Sequence, residues 1–241
     1  MTETIDARSD GRGTDVALGV VLVTGGASGL GAAVAHAVGM AGGTPVVLDR
    51  APADHVDAEL VDLADTRAAE RAVERVAQRH GRLDAVVAAA GTDACGELGD
   101  VPGPDWDRVV LVNLLGTAAV VRAALPYLRR SRGRVVTVAS TLGLRALPAA
   151  TAYCASKFGV VGFTRALAAE TAGEVGVTLL IPGGMRTAFF DGREERFRPA
   201  PDADLNPPER VADAILFALR QPPGCEVREL VVTPSTEPSW P

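Results

Sequence analysis

Short apolar runs alternate with stretches of helical periodicity along most of this chain. The runs lack the polar alternation of a strand with one solvated face, so they predict strands that are buried on both faces. They cover residues 17–25, 44–50, 83–91, 133–140, 174–184 and 227–234. The clearest helices are predicted at 64–81, 105–130, 150–172 and 207–220. This alternation predicts an α/β fold in which a doubly wound parallel sheet is covered by helices on both faces.

The helix predicted at 64–81 has recognisable residues at both ends. Asp65 or Thr66 is the expected N-cap, because a short side-chain oxygen there can accept hydrogen bonds from the first free amides. Gly81 is expected to end the helix in the left-handed conformation.

The C-terminal third carries a polar insertion before its helix. Residues 188–205 are too charged and too rich in proline for the core, which predicts a mobile flap. Directly after it, Asn206 and Glu209 have the spacing of a capping box, with Pro207 expected at the first helical position.

The chain pattern indicates a single domain at residues 17–241, without an internal repeat. Residues 1–16 are polar and contain no apolar core of a secretory signal, so we expect a flexible tail. The most apolar helical stretch is interrupted by Asn113, Arg122 and Pro126, which argues against a membrane span. We therefore expect a cytoplasmic protein with no membrane partner.

Composition narrows the function further. The net charge of −6 argues against a nucleic-acid partner, and 47% apolar residues are typical of a globular protein. The three cysteines have no metal-ligand spacing, and their odd number argues against a disulfide framework, so no metal site is predicted.

A glycine-rich turn follows the first predicted strand in the stretch TGGASGLG, residues 24–31. Glycines allow the tight turn and bring backbone amides and a helix N-terminus close to a pyrophosphate. This turn predicts a dinucleotide site with contacts from Gly25, Ser28, Gly29, Leu30 and Gly31.

Asp49 ends the second predicted strand, 18 residues after Gly31. A carboxylate at that place can accept hydrogen bonds from both hydroxyls of an adenosine ribose and repels a 2′-phosphate, which favours NAD. Arg50 keeps NADP open, because its guanidinium could pair with the 2′-phosphate.

Lys157 is the only lysine among 24 basic residues, and it follows Tyr153 by four positions. On a helix the two side chains share one face. An ammonium group near the phenol is expected to stabilise the phenolate and to lower the pKa of Tyr153 toward neutral pH. A chance pairing would not explain why lysine is kept at this one position.

Taken together, the glycine-rich turn, the Tyr-x-x-x-Lys spacing and a serine 13 residues before the tyrosine resemble the short-chain dehydrogenase/reductase family. The resemblance covers about residues 17–233 and implies a single-domain Rossmann-type fold. It implies that Tyr153 is the acid/base, that Ser140 binds the substrate oxygen and that Lys157 holds the nicotinamide ribose. Asn113 would bind a water in a proton relay behind the lysine.

The same resemblance implies the remaining contacts. The implied cofactor-binding residues are Asp62 and Leu63 at the adenine, Ala90 and Gly91 in the stretch AAAG, and Pro182, Gly183 and Thr187 beside the nicotinamide. An apolar substrate pocket is expected from Leu142, Leu147, Met185 and Phe189. The helices at 105–130 and 150–172 would pair between subunits in a homodimer or homotetramer.

These observations predict an NAD-dependent oxidoreductase that interconverts a secondary alcohol and a ketone on a medium-sized, mostly apolar or cyclic substrate. Two alternatives stay open: an NADPH-dependent ketoreductase of a natural-product or acyl pathway, and a non-catalytic scaffold that binds the cofactor.

Overall fold

A computed structural model describes residues 17–240, and within them seven parallel strands form one sheet. The strands are β1 (Val20–Thr24), β2 (Thr44–Asp49), β3 (Asp57–Leu60), β4 (Ala85–Ala88), β5 (Arg134–Val138), β6 (Gly176–Pro182) and β7 (Glu229–Val232). Their order is β3-β2-β1-β4-β5-β6-β7. Successive strands are added on one side of β1 up to β3 and on its other side from β4 onward, so the strand order reverses between β1 and β4. In a doubly wound sheet, the crevice for a ligand lies at the carboxyl ends of the strands at this reversal point.

Helices cover both faces of the sheet, which confirms the predicted doubly wound α/β fold. They are α1 (Gly29–Met40), α2 (Thr66–His80), α3 (Gly103–Val110), α4 (Thr117–Ser131), α5 (Thr151–Glu170) and α6 (Pro208–Leu219). One hydrophobic cluster contains residues of α2, α4 and α5, and a second contains residues of α1 and α6. Each face of the sheet therefore has its own core.

The strand β3 is absent from the apolar runs that predicted the other six. Its sequence, DAEL, is half acidic and lies at the sheet edge, where charged side chains are common. Arg79 of α2 pairs with Asp57 at 2.9 Å, and Arg75 pairs with Glu59 at 2.9 Å. Ion pairs with the neighbouring helix thus cover this strand where apolar packing does not.

The predicted helix ends had different outcomes. Asp65 is the N-cap of α2 and accepts hydrogen bonds from the Arg67 and Ala68 amides, and Gly81 ends the helix at φ 72°. The predicted cap at Asn206 is wrong, because Pro207 is the N-cap of α6 and the helix begins at Pro208. The Asn206 backbone instead forms an isolated bridge with Met185 and is held in an extended pairing.

The helix predicted at 105–130 is longer than expected and contains a π-helical turn. The chain is helical from Gly103 to Ser131, with a π segment at Leu111–Gly116 between α3 and α4. By length and composition alone this helix could cross a membrane, yet half of its most apolar stretch is buried inside the fold. A helix in the core of a globular protein can be equally long and apolar, so length and composition alone do not establish a membrane span.

Candidate active site

A single cleft of about 1050 Å³ lies at the carboxyl ends of the strands in the described part of the chain. Every residue predicted to bind cofactor or substrate lines it, and so do three of the four predicted catalytic residues. The exception is Asn113, which lies behind the cleft wall. The predicted site residues are far apart in the sequence, and the carboxyl ends of the strands bring them together in space.

The glycine-rich turn forms one wall of the cleft. β1 ends at Thr24 and α1 begins at Gly29, with Gly25 at φ 72° and Gly29 at φ 54° in the left-handed region. A Cβ on Gly31 would lie 2.2 Å from the Gly25 carbonyl oxygen, so only glycine fits there. This packing leaves the N-terminus of α1 facing the cleft, where helix amides and the helix dipole favour a phosphate.

Asp49 is fixed at the tip of β2. One carboxylate oxygen accepts from the Ala27 amide at 3.0 Å, and the other accepts from the Ala51 amide at 3.0 Å. The carboxylate is therefore tied to the glycine-rich turn, and the Arg50 side chain beside it is exposed. A fixed acid at this place suits a ribose with a free 2′-hydroxyl.

The predicted adenine end of the cleft contains a second acid. The Asp62 carboxylate pairs with Arg108 at 2.9 Å and accepts from the Ala64 amide at 3.0 Å. Burial alone would raise the pKa of Asp62, but these contacts and the nearby Arg50 charge lower it. Thr187 lies beside the glycine-rich turn. A Cβ added to Gly29 would be 3.5 Å from the Cβ of Thr187.

These features fit a nicotinamide dinucleotide. The cleft is large enough, Gly25 and Gly31 leave no room for a side chain, and an acid stands at the ribose end. The residues that would hold this cofactor are the cofactor contacts predicted from the sequence, of which Gly25 is the first and Thr187 the last, and all of them line the cleft.

Lys157 and Tyr153 share one face of α5, as predicted. Lys157 is only 3% exposed, and its Nζ donates to the Val138 carbonyl oxygen at 2.8 Å. The same Nζ lies 5.6 Å from the centre of the Tyr153 ring. Ser140 follows β5, accepts from the Leu142 amide at 3.1 Å and lies close enough to the Tyr153 side chain to lower its pKa. The serine, the tyrosine and the lysine therefore meet at one point of the cleft.

The expected lowering of the pKa of Tyr153 is wrong, because its burial has the opposite effect. Burial raises the pKa of Tyr153 above its ordinary value, and the nearby Ser140 side chain opposes this only in part. Burial also lowers the pKa of Lys157 to about 8. The lysine ammonium is turned toward Val138, so desolvation dominates both groups.

Asn113 lies in the π-helical turn and is fully engaged with its neighbours. Its Oδ1 accepts from the Thr92 amide at 2.8 Å, and its Nδ2 donates to the Thr92 carbonyl at 2.9 Å and to Ser156 Oγ at 3.0 Å. A Cβ on Gly91 would lie 3.6 Å from Asn113 Oδ1 and 3.7 Å from Lys157 Nζ. Asn113 thus braces the strand end behind the lysine, and its role with a water stays a prediction.

The substrate end of the cleft is mostly apolar. Leu142 and Leu147 come from the loop after Ser140, here named the serine loop (residues 140–147), while Met185 and Phe189 come from the opposite wall. The Phe189 ring packs on the Tyr153 ring at 5.6 Å between centroids. The predicted flap at 188–205 begins with this contact, and its residues line the mouth of the cleft. Its mobility stays a prediction.

One charged pair in this apolar end was not predicted. Asp93 pairs with Arg193 at 2.7 Å, and both side chains are largely buried. The Arg193 guanidinium also lies over the Phe189 and Phe190 rings at 4.8 and 4.7 Å. The Cys95 thiol donates to Asp93 at 3.0 Å, and burial together with this acid raises the pKa of Cys95 to about 12. The thiol is thus held protonated and is unsuited to nucleophilic attack.

Comparison with known proteins identifies the family. The model of the short chain dehydrogenase family matches residues 19–196. The chain is 33% identical over 218 residues to the 3-oxoacyl-(acyl-carrier-protein) reductase FabG of Thermotoga maritima, an alignment that covers 82% of this chain and 89% of the relative. The chain therefore belongs to the short-chain dehydrogenase/reductase family of nicotinamide-dependent oxidoreductases, as the sequence motifs predicted.

Two solved structures show the same fold. An alcohol dehydrogenase from the archaeon Thermococcus sibiricus, solved with 5-hydroxy-NADP, superimposes with a TM-score of 0.80 at 24% identity, covering 88% of this chain and 95% of that one. A short-chain dehydrogenase from Streptomyces avermitilis gives a TM-score of 0.77 at 26% identity, with coverage of 91% and 89%. These matches confirm the predicted Rossmann-type architecture.

Proposed function

We propose that this protein is an NAD(H)-dependent oxidoreductase that interconverts a secondary alcohol and a ketone on a medium-sized, mostly apolar or cyclic substrate. The observation that carries the proposal is the meeting of Ser140, Tyr153 and Lys157 at the apolar end of a dinucleotide-sized cleft. Asp49 stands at the other end of the same cleft. The family membership supports the reaction class, and the cleft lining supports the substrate class.

The side chains divide the chemistry between them. A bound nicotinamide supplies the hydride to a ketone carbon or accepts it from an alcohol carbon. In the reductive direction Tyr153 gives its phenolic proton to the substrate oxygen, and Ser140 hydrogen-bonds that oxygen as negative charge develops on it. Lys157 provides the positive charge that the tyrosine needs when it is left as phenolate. In the oxidative direction the tyrosine takes the proton back.

The pKa of Lys157 links this chemistry to the geometry of the site. Burial disfavours the charged form of both side chains, since it lowers the pKa of Lys157 to about 8 and raises the pKa of Tyr153. Hydrogen bonds from ribose hydroxyls and a nearby phenolate would both favour the charged lysine. We therefore expect cofactor binding to raise the pKa of Lys157 and to make the pair competent for proton transfer.

Parallel titration with NADH and NADPH tests the cofactor preference. The fixed Asp49 carboxylate supports NAD, so NADH should bind at least about tenfold more tightly than NADPH. Asp49→Asn should reduce this preference, because the repulsion of a 2′-phosphate is lost. Tighter binding of NADPH by the wild type would replace this proposal with the NADPH-dependent ketoreductase.

That second candidate has its own support. Arg50 is exposed at the ribose end of the cleft, and the similar archaeal alcohol dehydrogenase was solved with an NADP derivative. Arg50→Gln separates the two, since it should weaken NADPH binding strongly and NADH binding little.

A substrate screen tests the activity itself. Secondary alcohols and ketones, including cyclic ones and 3-oxoacyl thioesters, are offered with both cofactors in both directions while absorbance of the reduced nicotinamide is followed. Turnover of apolar or cyclic compounds supports the proposal. Tight cofactor binding without turnover of any compound would favour the non-catalytic scaffold.

We also propose that the protein assembles into a dimer or tetramer through α4, α5 and the π turn between α3 and α4. Leu115 and Phe158 lie on these elements and are 45% and 44% exposed in the single chain. Large apolar side chains exposed on adjacent helices are typical of an interface. Phe158→Asp should shift the mass measured by light scattering toward the monomer, whereas an unchanged mass would contradict this assignment.

A further inference from the structure

After β7, the chain turns back across the active-site cleft. Residues 234–240, here named the C-terminal segment, contribute Thr236, Glu237, Pro238 and Ser239 to the cleft lining. Ser239 is buried in this position although it is two residues from the end of the chain. The segment therefore packs into the cleft, and its contacts show which walls it joins.

Glu237 fastens the segment to the predicted nicotinamide turn. Its Oε2 accepts from the Gly184 amide at 2.8 Å. A Cβ on Gly183 would lie 2.3 Å from the same oxygen, so the carboxylate rests directly on this turn. The turn begins where β6 ends at Pro182, and Gly183 is one of the predicted cofactor contacts.

Ser239 fastens the segment to the serine loop. Glu237 Oε1 accepts from the Ser239 amide at 3.1 Å and from the Ser239 hydroxyl at 2.5 Å. Because the single hydroxyl proton of Ser239 goes to Glu237, the bond of 2.7 Å between Ser239 Oγ and Thr141 Oγ1 takes its proton from Thr141. Thr141 follows Ser140 directly, and farther along the loop Arg145 donates to the Pro238 carbonyl at 3.1 Å.

The chain of bonds depends on an ionised Glu237. Burial by itself raises the pKa of this carboxyl, but the hydrogen bonds from Ser239 and Gly184 lower it below its ordinary value. The carboxylate is thus an acceptor for three donors at neutral pH. A protonated or amide group could not accept all three.

We propose that the C-terminal segment is a clamp that holds the serine loop against the nicotinamide turn, with Glu237 as its positioning residue. The clamp joins Ser140, which binds the substrate oxygen, to the turn that holds the nicotinamide, and so sets the distance between the reacting partners. This inference rests on the proposed function.

The experiment uses Trp240 as a reporter in the full-length protein. The chain has two tryptophans, so Trp106→Phe leaves Trp240, which is 37% exposed, as the single one. In this background Glu237→Gln removes one acceptor of the clamp, and Thr141→Val removes the bond to Ser239 with little change in shape. Ser235→Ala is the matched control, because Ser235 is exposed in the same segment and makes no side-chain hydrogen bond within residues 17–240. Iodide quenching, cofactor affinity and turnover are measured for each variant.

A working clamp gives three results together. Iodide quenching of Trp240 rises in Glu237→Gln and Thr141→Val without any cofactor, the dissociation constant of the reduced cofactor rises about threefold in Glu237→Gln, and kcat falls about tenfold in both. Ser235→Ala matches the background protein in all three.

Two outcomes would overturn the clamp. Unchanged quenching of Trp240 in both variants would show that these bonds do not hold the segment. A released segment with unchanged cofactor affinity and turnover would show that it positions nothing. If no compound is turned over even by the background protein, the proposed function fails, while the quenching and affinity results still decide the clamp.

Discussion

The strand framework of the cofactor half and the loops of the substrate half are held in shape by different kinds of bond, although Asp49 and Asp62 add side-chain bonds in the cofactor half. In the cofactor half, main-chain bonds such as that from the Gly25 amide to the Leu48 carbonyl at 2.9 Å join neighbouring strands. In the substrate half, side chains that are distant in the sequence join loops: Asp93 bonds Arg193 across 100 positions, and Thr141 bonds Ser239 across 98. The first kind follows from the sheet, and the second depends on individual residues.

This difference explains how one scaffold can serve different substrates. The glycine-rich turn has no room for a side chain at Gly25, Gly26 or Gly31, so its sequence is constrained there by the surrounding structure. The loops of the substrate half connect to the sheet only at their ends, and their side-chain bonds can be replaced without disturbing the strands. Substrate choice can therefore change while cofactor binding stays the same.

The largest expected effect comes from Tyr153, which lies where the cofactor half and the substrate half of the cleft meet. Tyr153→Phe removes the proton donor but keeps the ring that packs on Phe189, so kcat should fall by about 10³-fold while cofactor affinity stays within about twofold. Turnover and fluorescence titration of the reduced cofactor measure the two quantities. Tyr127→Phe is the matched control, because the other tyrosine of the chain lies on α4 beside Arg130. Near-normal turnover in Tyr153→Phe would remove this residue from the proton transfer.

The second effect disrupts the cofactor half alone. In Gly31→Ala the new methyl group would lie 2.2 Å from the Gly25 carbonyl oxygen, and backbone atoms there can yield only by reshaping the turn. We expect cofactor affinity to fall by about 100-fold, a loss of about 3 kcal/mol.

Gly39→Ala on the same helix is the control for Gly31→Ala. Its methyl group would meet only Pro45, at 3.9 Å, so the substitution should leave cofactor affinity unchanged and favour the helix by up to about 1 kcal/mol. Equal affinities for both variants would contradict the role of the close approach.

The third effect disturbs the substrate half alone. Arg193→Gln leaves the Asp93 carboxylate without its ion pair and weakens the contact that holds Phe189 and Phe190 at the mouth of the cleft. The KM of the substrate should rise about tenfold with cofactor affinity unchanged. Arg196→Gln, at an exposed position of the same segment, should behave as wild type. An equal loss of cofactor affinity in Arg193→Gln would show that the halves are not independent.

The last effect concerns stability, not activity, at the junction of the two halves. Burial lowers the pKa of Lys157 to about 8, so between pH 8 and about 10.5 the unfolded chain binds more protons than the folded one. The free energy of unfolding should therefore rise with pH through this window, by up to about 1.4 kcal/mol per pH unit. Below pH 8 the folded protein carries the full destabilisation that comes from burying the charged lysine.

Lys157→Met isolates this contribution. The variant lacks the titrating group, so the difference in unfolding free energy between wild type and variant should move in favour of wild type from pH 7.5 to 9.5. Urea unfolding of the cofactor-free proteins at several pH values measures it. A difference that does not change with pH would contradict the lowered lysine pKa.

Much of the fold and of the cofactor site was predictable from local patterns. Six strands followed from continuous apolar runs, Asp65 from helix capping, and the residues from Gly25 to Gly31 from the turn that a dinucleotide requires. Each of these signals lies within a few neighbouring positions. The strand β3 was not predictable in this way, because its edge position and its ion pairs with α2 replace an apolar pattern.

The substrate half was predictable only in part. Leu142 and Phe189 line the cleft as expected. The pairing of Asp93 with Arg193 and the contact of Glu237 with Gly184 were not predictable, because the partners lie 100 and 53 positions apart in the sequence. The sequence predicted a helix N-cap at Asn206. The cap does not form, because the Asn206 backbone pairs with the chain at Met185. The prediction of a lowered pKa for Tyr153 was wrong, because the four-residue spacing of Tyr153 and Lys157 on a helix does not show how deeply the two side chains are buried.

The Lys157→Arg variant tests the central claim most directly, because it keeps a positive charge but replaces the compact ammonium, which can lose its proton, with a planar guanidinium that stays charged. The site at Lys157 is buried and its ammonium bonds a single carbonyl, so a planar guanidinium cannot take the same position. We predict a folded protein with less than about a tenth of wild-type turnover and a shifted pH profile of kcat/KM. Near-normal turnover with an unchanged pH profile would contradict the claim that this lysine and Tyr153 form the proton-transfer pair.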